Sequence, residues 1–202
     1  MAARPRLPTG AMINLGRLNV IVVDDNPLTL EALGQMVQGL GARSVRRCRS
    51  GQEALDTLRA IEMDLLIADA HMDGIDGFEL VERLRREPRE SVRQAPAILV
   101  TAHSRERDVQ RARDCGANFV IAKPVTPKVL VERIYWIKTD RRDFIECDAY
   151  VGPDRRFRNF GPPPGQKGRR ADDISGALGA ATEPNLSQDM IDAMMKPTRV
   201  SL

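Results

Sequence analysis

DLLIADAHMDGIDG, residues 64–77, carries a short hydrophobic run into an acid and then into a glycine-rich turn. Leu65, Leu66, Ile67 and Ala68 are too few for a typical helix and show no polar alternation. Such a run reads as a strand buried on both faces of a parallel sheet. Asp69 then stands at the strand's carboxyl end, where open α/β sheets place their ligand crevices. An acid there is placed for chemistry. The competing reading is an Asp that caps the turn behind it, a common habit of this residue type.

The segments on either side repeat the pattern. Upstream, Val20 to Val23 form a β-branched strand that ends in Asp24 and Asp25, and Leu30, Leu33, Val37 and Leu40 follow at helical spacing until Gly39 and Gly41. A weak second strand begins at Val45, and Ser50 with Glu53 has capping-box spacing ahead of Leu55, Leu58 and Ile61. Downstream, Phe78, Leu80, Val81 and Leu84 mark a third amphipathic helix, and a charged loop containing Pro88 leads to the strand AILVTA, residues 97–102. A charged helix over 105–115 with Val109 and Ala112 inward stops at Gly116; Phe119 to Ile121 form a fifth strand ending at Lys123-Pro124; and Leu130, Ile134 and Ile137 line a last helix, with Tyr135 and Trp136 beside that face.

Strands that alternate with helices in this way require right-handed crossovers and a parallel sheet covered on both faces. The expected fold class is therefore α/β, a doubly wound five-stranded parallel sheet flanked by five helices. All strand ends share one edge of such a sheet, so Asp24, Asp25, Asp69, Thr101 and Lys123 should converge although they are far apart in the chain. Three carboxylates in one crevice repel: two unit charges ~4 Å apart cost about 4 kcal/mol at an effective dielectric of 20. An oxygen-only, incomplete cage suits magnesium, with phosphate completing the site. Together with a lysine and a hydroxyl, the set describes a place to put a phosphoryl group on a carboxylate: Asp69 as nucleophile, Lys123 and a metal as charge stabilisers, Thr101 as hydrogen-bond partner.

On these residues, positions 17–138 resemble the receiver domain of two-component response regulators. The acid pair Asp24-Asp25, Asp69 with MDGIDG behind it, Thr101-Ala102 and Lys123-Pro124 fall in that family's order and approximate spacing. The resemblance implies the flavodoxin-like receiver fold, transfer of phosphate from the phosphohistidine of a histidine kinase or histidine phosphotransferase to Asp69, and a phosphoacceptor that is not an enzyme. It further implies magnesium held by Asp25 and Asp69, with Asp24 acting through water and the main-chain carbonyl of His71 completing the set, and a cis bond before Pro124.

Two departures bear on output. The position after Met72, commonly Pro in the family, is Asp73, an additional acid near the site. The aromatic residue expected three positions before the lysine is replaced by Val120, with Phe119 on the opposite face of the strand. The usual coupling between that aromatic and the threonine is therefore not expected. His71 and His103, the chain's only histidines, each lie two residues after a site residue. They either tune the water around a phosphoryl group or are solvent-facing loop residues. A haloacid-dehalogenase-like hydrolase fits less well, because it needs a second acid where His71 stands.

Composition is ordinary for a soluble globular protein, with 42% apolar and 29% charged residues among 202. No apolar run approaches the ~20 residues of a spanning helix. Cys48, Cys115 and Cys147 are odd in number and widely spaced with no CxxC pair, which suggests neither zinc nor disulfides and leads to the expectation of a reducing cytoplasm. The net charge of +3 arises from interspersed charges and creates no uniform field for nucleic acid.

The segments divide into a basic leader over 1–16, the receiver over 17–138, an Arg/Pro/Gly-rich extension and linker over 139–186, and a short amphipathic helix over 187–196. The extension lacks periodicity for a core and carries no recognised DNA-binding or enzymatic output domain, so it reads as largely irregular. Arg155, Arg156, Arg158, Lys167, Arg169 and Arg170, with Phe157 and Phe160, could grip nucleic acid, but a segment that folds back or meets a protein partner is the preferred expectation. In the final helix, Ser187 is the expected N-cap, with Met190, Ile191, Met194 and Met195 along one side. That face suits either a partner's groove or its own domain. The expected output is protein–protein contact, with homodimerisation left open. The alternative is a phosphorylation-independent scaffold on a receiver fold.

Overall fold

The computed structural model describes residues 15–140, 142–155 and 186–195. Its elements are β1 (Asn19–Val23), α1 (Pro27–Gly39), β2 (Ser44–Cys48), α2 (Gly51–Ala60), β3 (Leu65–Asp69), α3 (Gly77–Leu84), α4 (Glu90–Arg93), β4 (Ala97–Thr101), α5 (Glu106–Asp114), β5 (Phe119–Ala122) and α6 (Pro127–Thr139). A hairpin, β6 (Phe144–Cys147) and β7 (Tyr150–Pro153), follows, and then α7 (Gln188–Met194). The sheet has the order β2-β1-β3-β4-β5, with every neighbouring pair parallel.

The order places β3 at the centre between β1 and β4, and β3 and β4 are buried at every position, as continuous apolar runs require. Alternate strand residues feed two cores. One holds Val20, Val22, Leu65, Ile67, Ile98, Val100 and Ile121 beneath α1 and α6. The other holds Ile21, Val23, Leu66, Ala68, Leu99 and Val120 beneath α2, α3 and α5. The expected caps form: Ser50 Oγ accepts from the Glu53 backbone N–H at 3.1 Å, and Glu53 reaches back to Arg49 N at 2.7 Å.

Four differences from the sequence reading have local causes. The stretch after α3 is not all loop, because Val92 and Ala95 are buried and draw the chain into the single helical turn α4, a sixth helix in the receiver region. Leu15, at the end of the leader, is buried against the α1/α6 core and bonds Leu40 O through its N–H at 3.0 Å, so the folded unit starts before residue 17. Residues 144–153, expected to be irregular, form the β6-β7 hairpin. In the last helix Met190 is exposed while Ile191 and Met195 are buried, so the stripe faces its own domain.

The hairpin is held by positions that precede strands and therefore lie at the sheet edge away from Asp69. Gly116, with φ of +88°, lies so near that an added Cβ would meet the Val151 carbonyl at 2.5 Å, so both its conformation and its contact require glycine. Arg85 fixes the same corner: its guanidinium donates to the carbonyls of Gly116 (3.0 Å), Arg93 and Ala95 (both 2.7 Å) and to Asn118 Oδ1 (3.1 Å). Burial pulls its pKa down to about 10 from 12.5, which still leaves it charged at neutral pH. Of the arginine run, Arg155 pairs with Asp114 and lies 4.1 Å from the Tyr150 ring centre, while Arg156, Arg158, Lys167, Arg169 and Arg170 fall outside the described residues.

Candidate functional site

β1 and β3 are adjacent and parallel, so their acidic ends arrive side by side. Asp24, Asp25 and Asp69 each offer a carboxylate oxygen within 4.8 Å of one another. Their surroundings differ: Asp24 is fully buried, Asp69 nearly so, and Asp25 is exposed. Asp24 is held by the backbone N–H of Asn26, which donates to Oδ1 at 2.9 Å. Asn26 in turn is the N-cap of α1, accepting from Leu28 N and Thr29 N, with Pro27 in the first helical position. The Asp-Asp-Asn-Pro run is thus a helix start that also aims an acid. The capping pattern was present in the sequence.

Lys123 answers the charge. Its Nζ donates to Asp69 Oδ2 at 2.6 Å and to Asp24 Oδ2 at 3.0 Å, across the intervening strand β4. Burial alone would lower the lysine's pKa, but its hydrogen bonds to Asp69 and Asp24 outweigh that and raise it. Burial raises the Asp24 pKa above 3.8, with the Lys123 hydrogen bond and charge opposing. The Lys123-Pro124 bond is cis, as the resemblance implied.

The turn after β3 is packed tightly onto it. A Cβ at Gly77 would fall 2.1 Å from the Asp69 carbonyl, so the first turn of α3 can close on the strand end only as glycine. Asp76 caps that helix by accepting from Glu79 N at 2.8 Å. The His71 backbone N–H donates to Asp69 Oδ1 at 3.3 Å, which directs the turn's main chain at the acid. The additional acid Asp73 is exposed and is not part of the carboxylate triplet.

Thr101 reaches the same edge, buried to 1% exposure, but its hydroxyl is engaged with its own loop: it donates to the His103 carbonyl and accepts from the His103 N–H, both at 3.0 Å. Both histidines line the mouth, with ring centres 5.8 Å apart, and His71 also lies edge-on to Phe78 at 5.5 Å. Asp108, at the start of α5, stands 3.9 Å from His71 Nε2; nothing in its local sequence signalled that approach. Val120 faces the α2/α3/α5 core and Phe119 lies at the opposite side, its ring 5.9 Å from Trp136. The donor set suits a hard, oxygen-seeking cation with positive charge beside it. No helix among the described residues is long and apolar enough to cross a membrane.

The strand order and helix placement are those of a CheY-like flavodoxin fold. The chain is similar to the signal receiver domain of a signal transduction histidine kinase from Syntrophus aciditrophicus, with 31% identity and a TM-score of 0.54 over 65% of this chain and 98% of that one. It shares the fold of a chain in the CheX-CheY-BeF3-Mg complex from Borrelia burgdorferi, with 22% identity and a TM-score of 0.55 over 61% of this chain and 90% of that one. Among curated proteins, the polar-differentiation response regulator DivK of Brucella ovis is 32% identical over 116 residues, 57% of this chain and 92% of that protein. The sequence model of the response regulator receiver domain matches residues 20–135, and the chain belongs to that family of two-component signalling proteins. Members are signalling phosphoacceptors that work through histidine kinases and other proteins and bind magnesium at an acidic pocket.

Proposed function

We propose that this chain accepts a phosphoryl group on Asp69 from the phosphohistidine of a histidine kinase or histidine phosphotransferase, and signals through protein contact without an enzymatic or DNA-binding output domain. The observation that carries this reading is Lys123 spanning Asp69 and Asp24 at 2.6 and 3.0 Å inside the carboxylate triplet. A cation already paired to the acceptor is placed to meet phosphoryl oxygens as they arrive. An Asp69 oxygen attacks phosphorus, the phosphorus–nitrogen bond of the donor breaks, and the imidazole leaves with the bond's electron pair and takes up a proton. Magnesium, held by Asp25, Asp69 and the His71 main-chain carbonyl with Asp24 acting through water, would supply positive charge to the phosphoryl oxygens. Thr101 exchanges its bond to the His103 carbonyl for one to the phosphoryl group.

Intact mass after incubation with magnesium and acetyl phosphate tests the reading. A phosphate-sized gain in the native chain and none in Asp69→Asn is expected. No gain with acetyl phosphate and none with a phosphorylated histidine donor would overturn it.

The second reading is a phosphorylation-independent scaffold, favoured by Val120 at the position where the family's switching aromatic would stand. It expects partner binding to be the same in Asp69→Ala as in the native chain.

A further inference from the structure

Asp108, in the first turn of α5, is buried to 9% exposure. Its carboxylate meets His71 Nε2 at 3.9 Å and the exposed Arg107 Nε at 3.9 Å, both longer than a hydrogen bond. A carboxylate buried this far ordinarily has donors around it. The helix does not supply them: α5 opens at Arg105 with no side-chain cap, and among the described residues no N–H or O–H bonds the Asp108 carboxylate.

The two histidines stand beside this acid. Their ring centres are 5.8 Å apart and their planes perpendicular. The main chain of His103 is fixed, because the Thr101 hydroxyl bonds both its N–H and its carbonyl, while the His103 ring is exposed. Two imidazoles and a carboxylate are donors for a borderline divalent ion such as zinc, whereas magnesium takes oxygen alone. Zinc bonds of about 2.0–2.2 Å place the donors of one tetrahedral site roughly 3.3 Å apart. His71 Nε2 and Asp108 Oδ2, at 3.9 Å, are already close to that separation. Among the described residues, Asp24, Asp25 and Asp69 are the one group whose donors all lie within 4.8 Å of one another as they stand. The mouth group closes when the exposed His103 ring turns about its side-chain bonds, with no change in the backbone.

We propose that His71, His103 and Asp108 bind a zinc ion at the mouth of the acidic site, with water in the fourth position, and that this ion obstructs the approach to Asp69. The buried carboxylate thereby gains the counter-charge that its surroundings withhold. The ion takes side-chain atoms only, so the His71 carbonyl remains with the acidic site. His71 joins the two places, since its backbone N–H donates to Asp69 Oδ1 at 3.3 Å. Zinc on its ring holds the turn over the acceptor and sets an ion and its water in the path of a phosphoryl donor. The obstruction rests on the phosphoacceptor reading; the zinc site does not.

The test follows the imidazole rings of the full chain by proton–carbon NMR, in which the chain's two histidines give separate signals. Magnesium at millimolar level occupies the acidic triplet, and the pH is neutral. Zinc should displace both ring signals together, with the change complete at one equivalent. By calorimetry, His103→Gln and Asp108→Asn should each weaken zinc binding by about tenfold or more, while Cys147→Ser leaves it as in the native chain. Either ring signal unmoved by zinc overturns the site. So does an affinity that survives Asp108→Asn, with backbone amide spectra confirming that the variants are folded. The obstruction is read as the rate of phosphate-sized mass gain with magnesium and acetyl phosphate. One equivalent of zinc should slow that gain at least tenfold in the native chain and far less in His103→Gln. Equal slowing in both, or slowing in neither, overturns the obstruction alone. No mass gain even without zinc, from acetyl phosphate or a phosphorylated histidine donor, removes the phosphoacceptor reading and the obstruction with it, while the ring signals still decide the site.

Discussion

Lys123 Nζ lies 2.6 Å from Asp69 Oδ2, and that single approach ties the last strand of the receiver to its central one. The pair sets what happens when any member of the acidic edge is changed.

Lys123→Ala removes the cation from between two buried carboxylates. Breaking a fully buried pair costs about 3–5 kcal/mol, and because the lysine is partly exposed the expected loss is about 1–2 kcal/mol. Magnesium should restore more stability to this variant than to the native chain, since it becomes the main compensating charge. Thermal melts with and without millimolar magnesium decide this; equal magnesium shifts in both proteins would count against a shared site.

The Asp24 carboxyl is raised above its ordinary 3.8, chiefly by burial. The folded state therefore binds that proton more tightly than the unfolded state, and stability from this group is fully present below pH 3.8 and is lost as pH rises through the raised value. Metal-free native protein should lose stability relative to Asp24→Asn across that window. Urea melts of both proteins between pH 3 and 8 measure it, and a difference that does not change with pH would refute the assignment.

Arg85 serves four acceptors at the corner where the hairpin meets α5. Arg85→Met takes the side-chain donor from the Gly116, Arg93 and Ala95 carbonyls in a buried place, while Asn118 Oδ1 keeps the Ala97 N–H at 2.9 Å, and should cost about 3–5 kcal/mol. Arg85→Lys recovers only part of this, because an ammonium cannot reproduce the planar fork. Chemical denaturation at neutral pH would show the order native, Lys, Met.

Of the three free thiols only Cys147 is exposed. Burial pushes Cys115 up to about 12 from 9.0, so alkylation of the native chain at pH 8 should label Cys147 alone, read by peptide mass. A thiol whose folded pKa is raised contributes stability that is complete below pH 9 and is lost as pH climbs toward about 12. The stability gap between native and Cys115→Ser should therefore narrow over that range.

The sheet and its acidic edge were legible in the sequence because their causes are local. Short apolar runs ending in Asp24-Asp25, Asp69 and Lys123 define strands and their polarity, and alternation with helical periods forces the parallel order that gathers those ends. Even the glycine-rich turn behind Asp69 declared itself through composition. Where the signal was a single cap, as at Asn26, it was available and small.

The rest depended on contacts between residues distant in the chain. Segment 144–153 has no periodicity long enough to announce a hairpin, and it forms because Gly116 leaves room for Val151 and Arg85 holds the corner beneath it. Residues 187–195 carry a helix cap and a methionine-rich face that suited a foreign groove or the chain's own domain equally well. The tertiary structure decided between them through Arg133 and the open edge of β5: a buried guanidinium and unpaired strand groups need a carboxylate and an amide, and Asp192 and Gln188 sit one helical turn apart to provide both.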